Sequence, residues 1–470
     1  MTADEIAGHM KTGEFEFLDC RFLDFPGLWQ NCTYTASEVD ADRLAGGFGF
    51  DGSAIRGWQA INESDMLLVP DCDTARRDPF AERATLAVIC DVRDPVTKKT
   101  YGRDPRAVAK KAQKHLEATG IADTAHFGPE LEFFLFDRVR FDQTTNAAWY
   151  EVDSAEGVWN RGSDHPGNRG HQIPIRQGYF PCPPVDTMHD LRGEMAATMQ
   201  SLGIRVECHH HEVATGGQQE IDLRFDALLP MADKCMFYKH VVKRVAANHG
   251  RVATFMAKPL LGDNGSGMHT HFSLWKDDEP VFAGRRYAGL SQLGLWAIGG
   301  ILRHTPSLLA FCAPGTNSYK RLVPGFEAPV SLVYSSRNRS AAIRIPRYDD
   351  RPGSKRLEFR CPDPSANPYL AFSAILMAAL DGIQNEIDPG DPVDLDLYDL
   401  EPERFAAIPR TPATLDEALS ALDADRGYLL AGDVFPADLI DGWIAYKRQH
   451  EVDALRARPH PHEFEMYFHS

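Results

Sequence analysis

The chain has 470 residues, of which 43% are hydrophobic and 25% charged, and its formal net charge is −17. A chain of this length exceeds what one hydrophobic core usually supports, so two domains are expected. The acidic balance argues against a nucleic acid or an anionic membrane as the main partner, because both repel a negatively charged surface.

Residues 1 to about 103 contain short predicted strands, EFEFLDCRF and ATLAVICDV, separated by loops rich in Asp, Gly and Pro. The next segment, DPRAVAKKAQKHLEATG, predicts a helix with Asp104 as its N-cap and Gly120 just past its end. We place the domain boundary at this helix, which gives an N-terminal domain over 1–103 and a second domain over 104–470.

Helices are predicted over 186–203 and near 230–249, each followed by a strand, which favours an α/β or α+β catalytic domain. Residues of about 143–180 are polar, aromatic and Gly-rich, and they predict a long functional or interfacial loop. The longest apolar stretch, 369–380, is too short to span a bilayer and predicts a buried helix capped by Asn367.

The nine cysteines are dispersed without a CxxC pair. Such a set is typical of reduced thiols and not of a disulfide framework or a zinc site. The first residues, MTADEIAGHM, show neither the basic nor the apolar region of a signal peptide. We therefore predict a cytoplasmic protein with no membrane partner.

Two carboxylates, Glu130 and Glu132, interrupt the aromatic segment FGPELEFFLF. The segment reads as a strand, so residues two apart face the same side. Burying an unpaired carboxylate is unfavourable, and such groups are paired, protonated or bound to a metal. An edge strand with one wet face explains this segment equally well when it is considered alone.

Three further segments place acidic or imidazole groups in strand-like surroundings: HHHEVATGGQQEIDLRF with Glu212 and Glu220, KPLLGDNGSGMHTHFSLW with His269 and His271, and KRLEFRCPDP with Glu358 and Arg360. Each has an ordinary structural explanation as a core histidine, a turn or a salt bridge. Together, five glutamates and one imidazole form an oxygen-rich ligand set suited to Mg²⁺ or Mn²⁺. The Gly-rich loop also lets backbone approach a phosphate closely, so the set predicts metal-assisted chemistry on a nucleotide.

The segment SSRNRSAAIRIPR concentrates four arginines, Arg337, Arg339, Arg344 and Arg347. A basic surface strand is the ordinary explanation of such a segment. Beside the acidic motifs of a negatively charged protein, we favour a phosphate clamp.

These motifs, in this order, resemble those of bacterial-type (type I) glutamine synthetases. The resemblance covers essentially the whole chain and includes GYFPCPPVD and NSYKRLVPGFEAP as well as the segments quoted above. It implies an α+β fold, with a small N-terminal β-grasp-like domain and a large C-terminal α/β catalytic domain. In the latter, a curved antiparallel sheet, a partial barrel, carries the metal ligands.

The resemblance also implies a reaction: ATP, glutamate and ammonia give glutamine, ADP and phosphate through a γ-glutamyl phosphate. Two cations, Mg²⁺ or Mn²⁺, would be bound in each site. One ion would be held by Glu132, Glu212 and Glu220, and the other by Glu130, His269 and Glu358.

Substrate contacts follow from the same resemblance. Glutamate and ammonium would be bound by Glu132, Asn264, Gly265, His269, Arg321, Glu327, Arg360, Ser53 and Tyr179. ATP and its phosphates would be bound by Phe225, His271, Ser273, Arg339, Arg344 and Lys355. The residues with implied catalytic roles are Asp51, Glu327, Arg339 and Arg360.

Two of these roles depend on loops. RLVPGFEAPVS (321–331) reads either as a loop able to close or as a rigid surface turn. The resemblance makes it a flap, whose Glu327 shields the intermediate and takes a proton from the attacking nitrogen. In FDGSAIRGW, Asp51 would bind ammonium at the site of a neighbouring subunit, although Ala54 stands where the family usually has Ser.

A site shared between subunits requires an oligomer, and the resemblance implies a dodecamer of two six-membered rings. The apolar C-terminal tail, LRARPHPHEFEMYFHS, would dock into another subunit or form a strap over its own domain. Tyr398 stands where many type I enzymes carry a tyrosine modified by AMP, but Leu395 replaces the basic residue of that pattern.

Three alternatives stay open: a γ-glutamyl ligase that uses a polyamine or another amine, an inactive structural family member, and a guanidino kinase. Retention of all six metal ligands argues against the second, and the Asp51 loop argues against the third.

Overall fold

The N-terminal part of the chain forms a five-stranded sheet. The computed structural model describes residues 1–58, 64–164, 168–326, 328–395 and 408–470. The strands of this sheet are β1 (Phe17–Leu23), β2 (Trp29–Thr35), β3 (Phe48–Asp51), β4 (Asp65–Arg77) and β5 (Thr85–Arg93). Their order is β2-β1-β5-β4-β3, with β1 and β5 parallel and the other pairs antiparallel. Both predicted strands of this region are confirmed as β1 and β5.

A second, larger sheet carries the acidic motifs. Its main path is β15-β16-β17-β13-β6-β10-β9, and it is antiparallel except between β15 and β16. The strands on this path are β6 (Thr124–Phe136), β9 (Val206–His211), β10 (Gln218–Leu223), β13 (Met268–Lys276), β15 (Ser331–Ser335), β16 (Ala341–Arg344) and β17 (Leu357–Phe359). Short strands at Asp226–Ala227 (β11), Val252–Thr254 (β12) and Glu279–Pro280 (β14) pair with it. The sheet curls into a half-barrel, so the α+β fold class predicted from the sequence is confirmed.

Helices cover the apolar face of this sheet. The described helices are α1 (Ala3–Thr12), α2 (Ala41–Gly46), α3 (Pro105–Thr119), α4 (His189–Ser201), α5 (Leu228–Asn248), α6 (Gln292–Cys312), α7 (Ser318–Arg321), α8 (Pro368–Gln384), α9 (Leu415–Ala424), α10 (Gly427–Leu430), α11 (Ala437–Lys447), α12 (Asp453–Arg456) and α13 (Pro461–Tyr467). Among them, none is both long and apolar enough to cross a bilayer.

The central helix α8 is buried along almost its whole length, as predicted. Asn367 caps it by accepting a hydrogen bond from the Tyr369 backbone N–H at 3.2 Å. Its neighbour α6 approaches closely at Gly382, where an added Cβ would lie 2.2 Å from the Trp296 carbonyl oxygen. Glycine is therefore required at this crossing.

The junction between the two sheets contains a buried ion network. Arg106, near the start of α3, pairs with Asp71 at 2.8 Å, with Asp91 at 2.7 Å and with Asp233 at 3.0 Å. Asp71 and Asp91 belong to the N-terminal sheet, and Asp233 belongs to α5. The network therefore fixes the N-terminal sheet against the catalytic part of the chain.

One expectation outside the core is corrected, and one of the two alternatives for the C-terminal tail is excluded. Residues 143–180 are not one loop, because β8 (Ala148–Asp153) pairs with β7 (Arg138–Gln143) as a hairpin. The aromatic and β-branched residues of AWYEVD account for this strand. The C-terminal tail forms α12 and α13, and residues 455–470 are exposed, so the tail is not a buried strap on its own domain.

Candidate active site

The register of the larger sheet sets acidic and imidazole groups side by side. Glu132 on β6 lies opposite Glu220 on β10, and Glu220 lies opposite His210 on β9. One row along, His269 lies opposite Glu130, and Glu130 lies opposite Asp222. Side chains two apart on a strand share a face, so both rows point to the same side.

This face opens into a cavity of about 440 Å³. Many of the predicted site residues line it: Glu130, Glu132, Tyr179, Glu212, Glu220, Asn264, Gly265, His269, His271, Arg321, Arg339, Arg344, Glu358 and Arg360. Leu131 and Phe133, which alternate with the two glutamates on β6, are fully buried on the other side. The sequence-based prediction for FGPELEFFLF is therefore confirmed.

The first potential metal-binding group comprises Glu130, His269 and Glu358, whose ligand atoms lie within 4.8 Å of one another. His269 Nδ1 is 3.2 Å from a Glu130 carboxylate oxygen. Burial, reinforced by the charge of Arg360, lowers the pKa of His269 to about 4. A neutral imidazole is the form that binds a metal, so His269 is ready to act as a ligand.

Both carboxylates of this group are ionised despite their burial. Burial alone would raise the pKa of Glu130, but the charge of His271 and hydrogen bonds from both histidines outweigh it and hold the pKa well below its usual range. For Glu358 the charges of Arg360 and His271 likewise overcome burial and lower the pKa.

The second group comprises His210, Glu212 and Glu220, again with ligand atoms within 4.8 Å of one another. His210 is 3.5 Å from Glu212 and 3.7 Å from Glu220. Burial raises the pKa of Glu220 well above its usual range, and the charges of Asp222 and Glu212 raise it further. Burial also raises the pKa of Glu212, although His210 opposes the shift.

Glu132 lies beside the second group without belonging to it. Its carboxylate accepts hydrogen bonds from the Gly267 backbone N–H at 3.0 Å and from the Gln218 side chain at 2.9 Å. Burial, with the charge of Glu212 next in importance, raises its pKa well above the usual range. Its predicted assignment to the same ion as Glu212 and Glu220 stays a prediction.

These residues fit divalent cations. The donors are carboxylate oxygens with one imidazole in each group, a set suited to hard divalent ions. Three carboxyl groups with raised pKa values face one another, and a dication would relieve that repulsion. One buried oxygen of Asp222 also has no hydrogen-bond partner among the described residues.

Arginines form a further part of the cavity wall, beside Glu358. Arg344 and Arg360 both pair with Glu358, Arg344 at 2.5 Å. Arg321 donates to backbone carbonyls of Arg360 at 3.1 Å and Cys361 at 2.9 Å. Arg321 is therefore held against the strand that carries Glu358, at the edge of the cavity.

The glycine-rich loop 262–267 fits tightly into this wall. An added Cβ at Gly265 would lie 2.3 Å from the Ala257 carbonyl oxygen and 3.1 Å from Arg321 Cγ. The backbone therefore comes close to the arginine at a position that only glycine allows.

Several predicted residues lie elsewhere. Asp51 and Ser53 are at the end of β3, away from the residues that line the cavity, and the Ser53 N–H and hydroxyl donate to Asp51 at 2.9 and 2.7 Å. These bonds lower the pKa of the exposed Asp51 carboxyl. Phe225 packs against His126, which lies opposite Ser273 in the register, and Lys355 is buried near Asp349. Glu327 and Tyr398 lie outside the described residues.

The sequence-based prediction did not include His210 or Asp222. Strand alternation carried the signal for both, because positions 208, 210 and 212 share a face, as do 218, 220 and 222. Which of these faces meets Glu130 and Glu132 depends on the pairing of distant strands.

Comparison with known proteins agrees with this geometry. A family model described as glutamine synthetase, catalytic domain, matches residues 102–467, and one described as glutamine synthetase, beta-Grasp domain, matches residues 14–95. The chain belongs to the glutamine synthetase family. Its resemblance to bacterial-type glutamine synthetases is thereby confirmed.

Relatives of the same family match over nearly the full length. The glutamine synthetase of Aquifex aeolicus is 57% identical over 467 residues, and that of Frankia alni is 53% identical over 468 residues; each match covers 99% of both chains. The cryo-EM structure of Plasmodium falciparum glutamine synthetase is 28% identical, with a TM-score of 0.91 and 99% coverage of both chains.

Proposed function

We infer that this chain catalyses ATP-dependent ligation of ammonia to L-glutamate, giving L-glutamine, ADP and phosphate through a γ-glutamyl phosphate. The observation that carries this inference is the cavity that two carboxylate–histidine groups line together with an arginine wall. Full-length relatives named glutamine synthetase favour ammonia over a larger amine as the acceptor.

The cations that the family implies would be held by two sets of residues. Glu130, His269 and Glu358 would hold one, and Glu132, Glu212 and Glu220 the other, with His210 as an additional nitrogen donor. We propose two Mg²⁺ or Mn²⁺ ions per site. When bound, they would neutralise charge on the phosphoryl group during its transfer.

The arginine wall would bind the transferring phosphoryl group and stabilise the negative charge on it. Arg339, Arg344 and Arg360 line the same cavity as the carboxylates, and guanidinium groups bind phosphate in a bidentate manner. His271, Ser273, Phe225 and Lys355 would bind the nucleotide. His271 and Ser273 lie on β13, and Phe225 packs against His126 on the neighbouring strand β6. This row of residues along the two strands is consistent with an elongated nucleotide site.

Glutamate would bind at the loop 262–267. Asn264, Gly265 and Arg321 lie together at the cavity edge, where they would bind its amino-acid end. Water must be kept from the acyl phosphate, and we propose that Glu327 shields it and accepts a proton from the attacking nitrogen. Replacing Glu327 by Ala should then make phosphate release exceed glutamine formation.

Ammonium would bind at a composite site. Tyr179 lines the cavity of this chain, whereas the exposed Asp51 and the half-buried Ser53 are not among its lining residues. We propose that Asp51 reaches the cavity of a neighbouring subunit in a dodecamer of two six-membered rings. Sedimentation measures the size of the oligomer. Mixing Asp51→Asn chains with Glu220→Gln chains tests whether sites are shared, because activity returns only if Asp51 of one chain completes the intact cavity of another.

Further assignments are proposals of the same kind. We place the domain boundary between 103 and 104, supported by the start of α3 at Pro105 and by the limits of the two family models. We place the protein in the cytoplasm, supported by its free cysteines. Tyr398 remains a candidate for modification by AMP, with Leu395 altering its surroundings.

The direct test is phosphate release with glutamate, ATP and Mg²⁺ or Mn²⁺, comparing ammonium with ethanolamine and putrescine. We expect ammonium to support turnover, with one glutamine formed per phosphate. Turnover with only the larger amines would refute the proposed function.

A further inference from the structure

Phe326 carries two cations against its ring. The Nζ of Lys258 lies 4.1 Å from the ring centroid, and the guanidinium carbon of Arg176 lies 4.4 Å from it. Phe326 and Arg176 both line the cavity. Contacts this short are well within the range in which a cation is attracted to an aromatic face.

Lys258 is fixed from two sides. Its backbone N–H donates to the Asn317 side-chain oxygen at 2.8 Å, and the Asn317 amide donates to the Lys258 carbonyl at 3.0 Å. Its ammonium group also donates to the Asp263 carbonyl. The cation therefore holds its position without help from Phe326.

Arg176 is held by the same aspartate. Its φ of 59° is in the left-handed region, which a residue with a side chain rarely adopts. Its backbone N–H donates to Asp263 at 3.2 Å, and Asp263, only 1% exposed, also accepts from the backbone N–H groups of Thr215 and Asn264. Such strain persists only where the surrounding structure imposes it, and it gathers at functional sites.

We propose that Arg176 and Lys258 are positioning residues that hold Phe326 in the wall of the candidate glutamate site through paired cation–π contacts. Two like charges brought this close repel each other, and the negative face of a phenyl ring offsets that repulsion while it holds the ring. Asp263 couples this clamp to Asn264, the residue proposed to bind glutamate. The inference rests on the proposed function and adds residues that determine how glutamate is retained and how water is excluded.

The clamp predicts the effect of removing the ring or one cation. Phe326→Leu keeps apolar bulk but loses the aromatic face, and Arg176→Gln keeps the backbone contact to Asp263 but loses the charge. Each should raise the KM for glutamate and the ratio of phosphate released to glutamine formed, by about two- to fivefold per lost contact. Phe326→Tyr, which retains a ring, should restore both values toward those of the unmodified chain.

The double variant Phe326→Leu/Arg176→Gln isolates the contact. Because both changes remove one interaction, the double variant should be no more impaired than the worse single variant. The clamp would be overturned if the effects of the two single changes multiplied in the double variant, or if the Phe326→Tyr chain were as impaired as Phe326→Leu. Phe80→Leu is the matched control. It removes a phenyl ring of the N-terminal part whose centroid lies 5.6 Å from the guanidinium carbon of Arg244 on α5, and it should leave the KM for glutamate and the ratio of phosphate to glutamine unchanged.

Hydrogen exchange separates the clamp from the proposed function. The amide hydrogens of Leu322, Val323, Gly325 and residue 326 should exchange about two- to fivefold faster in Phe326→Leu and in Arg176→Gln than in the unmodified chain. Unchanged exchange in both variants refutes the clamp. A chain that makes no glutamine refutes the proposed function, while the exchange rates still decide whether the clamp exists.

Discussion

Acidic side chains cluster around Arg106 and again in the cavity, but their surroundings differ. Around Arg106, three aspartates lie within 3.0 Å of one guanidinium group, and Lys110 pairs with Asp91. Burial would raise the pKa of Asp71, yet the charges of Arg106 and Lys110 leave it lowered. In the cavity, burial leaves the pKa values of Glu132, Glu212 and Glu220 raised, and neighbouring carboxylates raise those of Glu132 and Glu220 further.

The difference shows how to tell a structural ion network from a ligand site. Burying a charge is costly in both regions, and only a partner of opposite charge offsets that cost. The junction supplies its partners from the chain itself. Around Glu132, Glu212 and Glu220 the cavity supplies too few, and a bound dication would supply the missing positive charge.

The largest effect is expected from removing the cation at the junction. Arg106→Met leaves the buried Asp233 and the half-buried Asp71 and Asp91 without their main partner and should lower the free energy of unfolding by about 3–5 kcal/mol. Urea denaturation monitored by circular dichroism measures the loss. The partly exposed Lys110 is the control, and Lys110→Met should cost less than about 1 kcal/mol. Equal losses would show that the junction is not organised around Arg106.

In the cavity, removing a charge should have the opposite effect on stability. Glu220→Gln relieves repulsion, so the melting temperature without divalent cations should rise by about 1–3 °C. The same change should lower kcat/KM at least ~100-fold and reduce the stabilisation by added Mn²⁺ to what the site at Glu130, His269 and Glu358 provides. Differential scanning fluorimetry with and without MnCl₂ tests both effects. Glu117→Gln, on the exposed side of α3, should change neither, and a Glu220→Gln chain that still responds fully to Mn²⁺ would contradict this account.

A smaller group, in which a histidine is paired with two aspartates, makes the stability of the fold depend on pH. His304 lies 2.7 Å from Asp425 and 2.8 Å from Asp381. Burial would lower its pKa, but the hydrogen bonds to both aspartates, Asp425 first, outweigh it and raise the pKa. A raised histidine pKa stabilises the fold fully below the unfolded value of about 6.5, and this stabilisation is lost as pH rises through the folded value.

His304→Gln should therefore cost about 2 kcal/mol at pH 6 and progressively less toward pH 9. Urea midpoints of both chains, measured across this range, test the trend. A difference that stays constant with pH would mean that His304 contributes by packing on Tyr428 and not by its charge.

The smallest effect concerns Asp222, which lies beside the cavity carboxylates with raised pKa values. Burial and the charge of Glu130 raise its pKa, and it lies outside both ligand groups. Asp222→Asn should weaken Mn²⁺ binding by about tenfold, the effect of a residue next to the ligands. Isothermal titration calorimetry measures it. A loss as large as that of Glu220→Gln would make Asp222 a direct ligand.

Local patterns were sufficient to predict the elements that carry their own signals. Asp104 and Asn367 accept hydrogen bonds from the first turns of α3 and α8, as their positions before Pro105 and Pro368 indicate. Glu130 and Glu132 share a face because they are two residues apart on the strand β6, so the local sequence is sufficient to predict it.

What could not be predicted depends on long-range pairing. His210 joins Glu220 only because β9 and β10 pair in one register, and no local pattern fixes that register. The clamp on Phe326 brings together residues 176, 258 and 326, each ordinary in its own segment. The hairpin β7–β8 was missed because its polar, Gly-rich surroundings obscured a short alternating strand.

The pairing of β6 with β10 also bears on how the molecule reaches its native state. A slip of one residue would turn Glu220 toward the helices and Ile221 toward the cavity, since neighbouring side chains alternate. The slipped sheet would bury a carboxylate in the core and could not assemble either ligand group. A dication present during refolding would thus favour the correct register of the strands, because only that register assembles the groups that bind it.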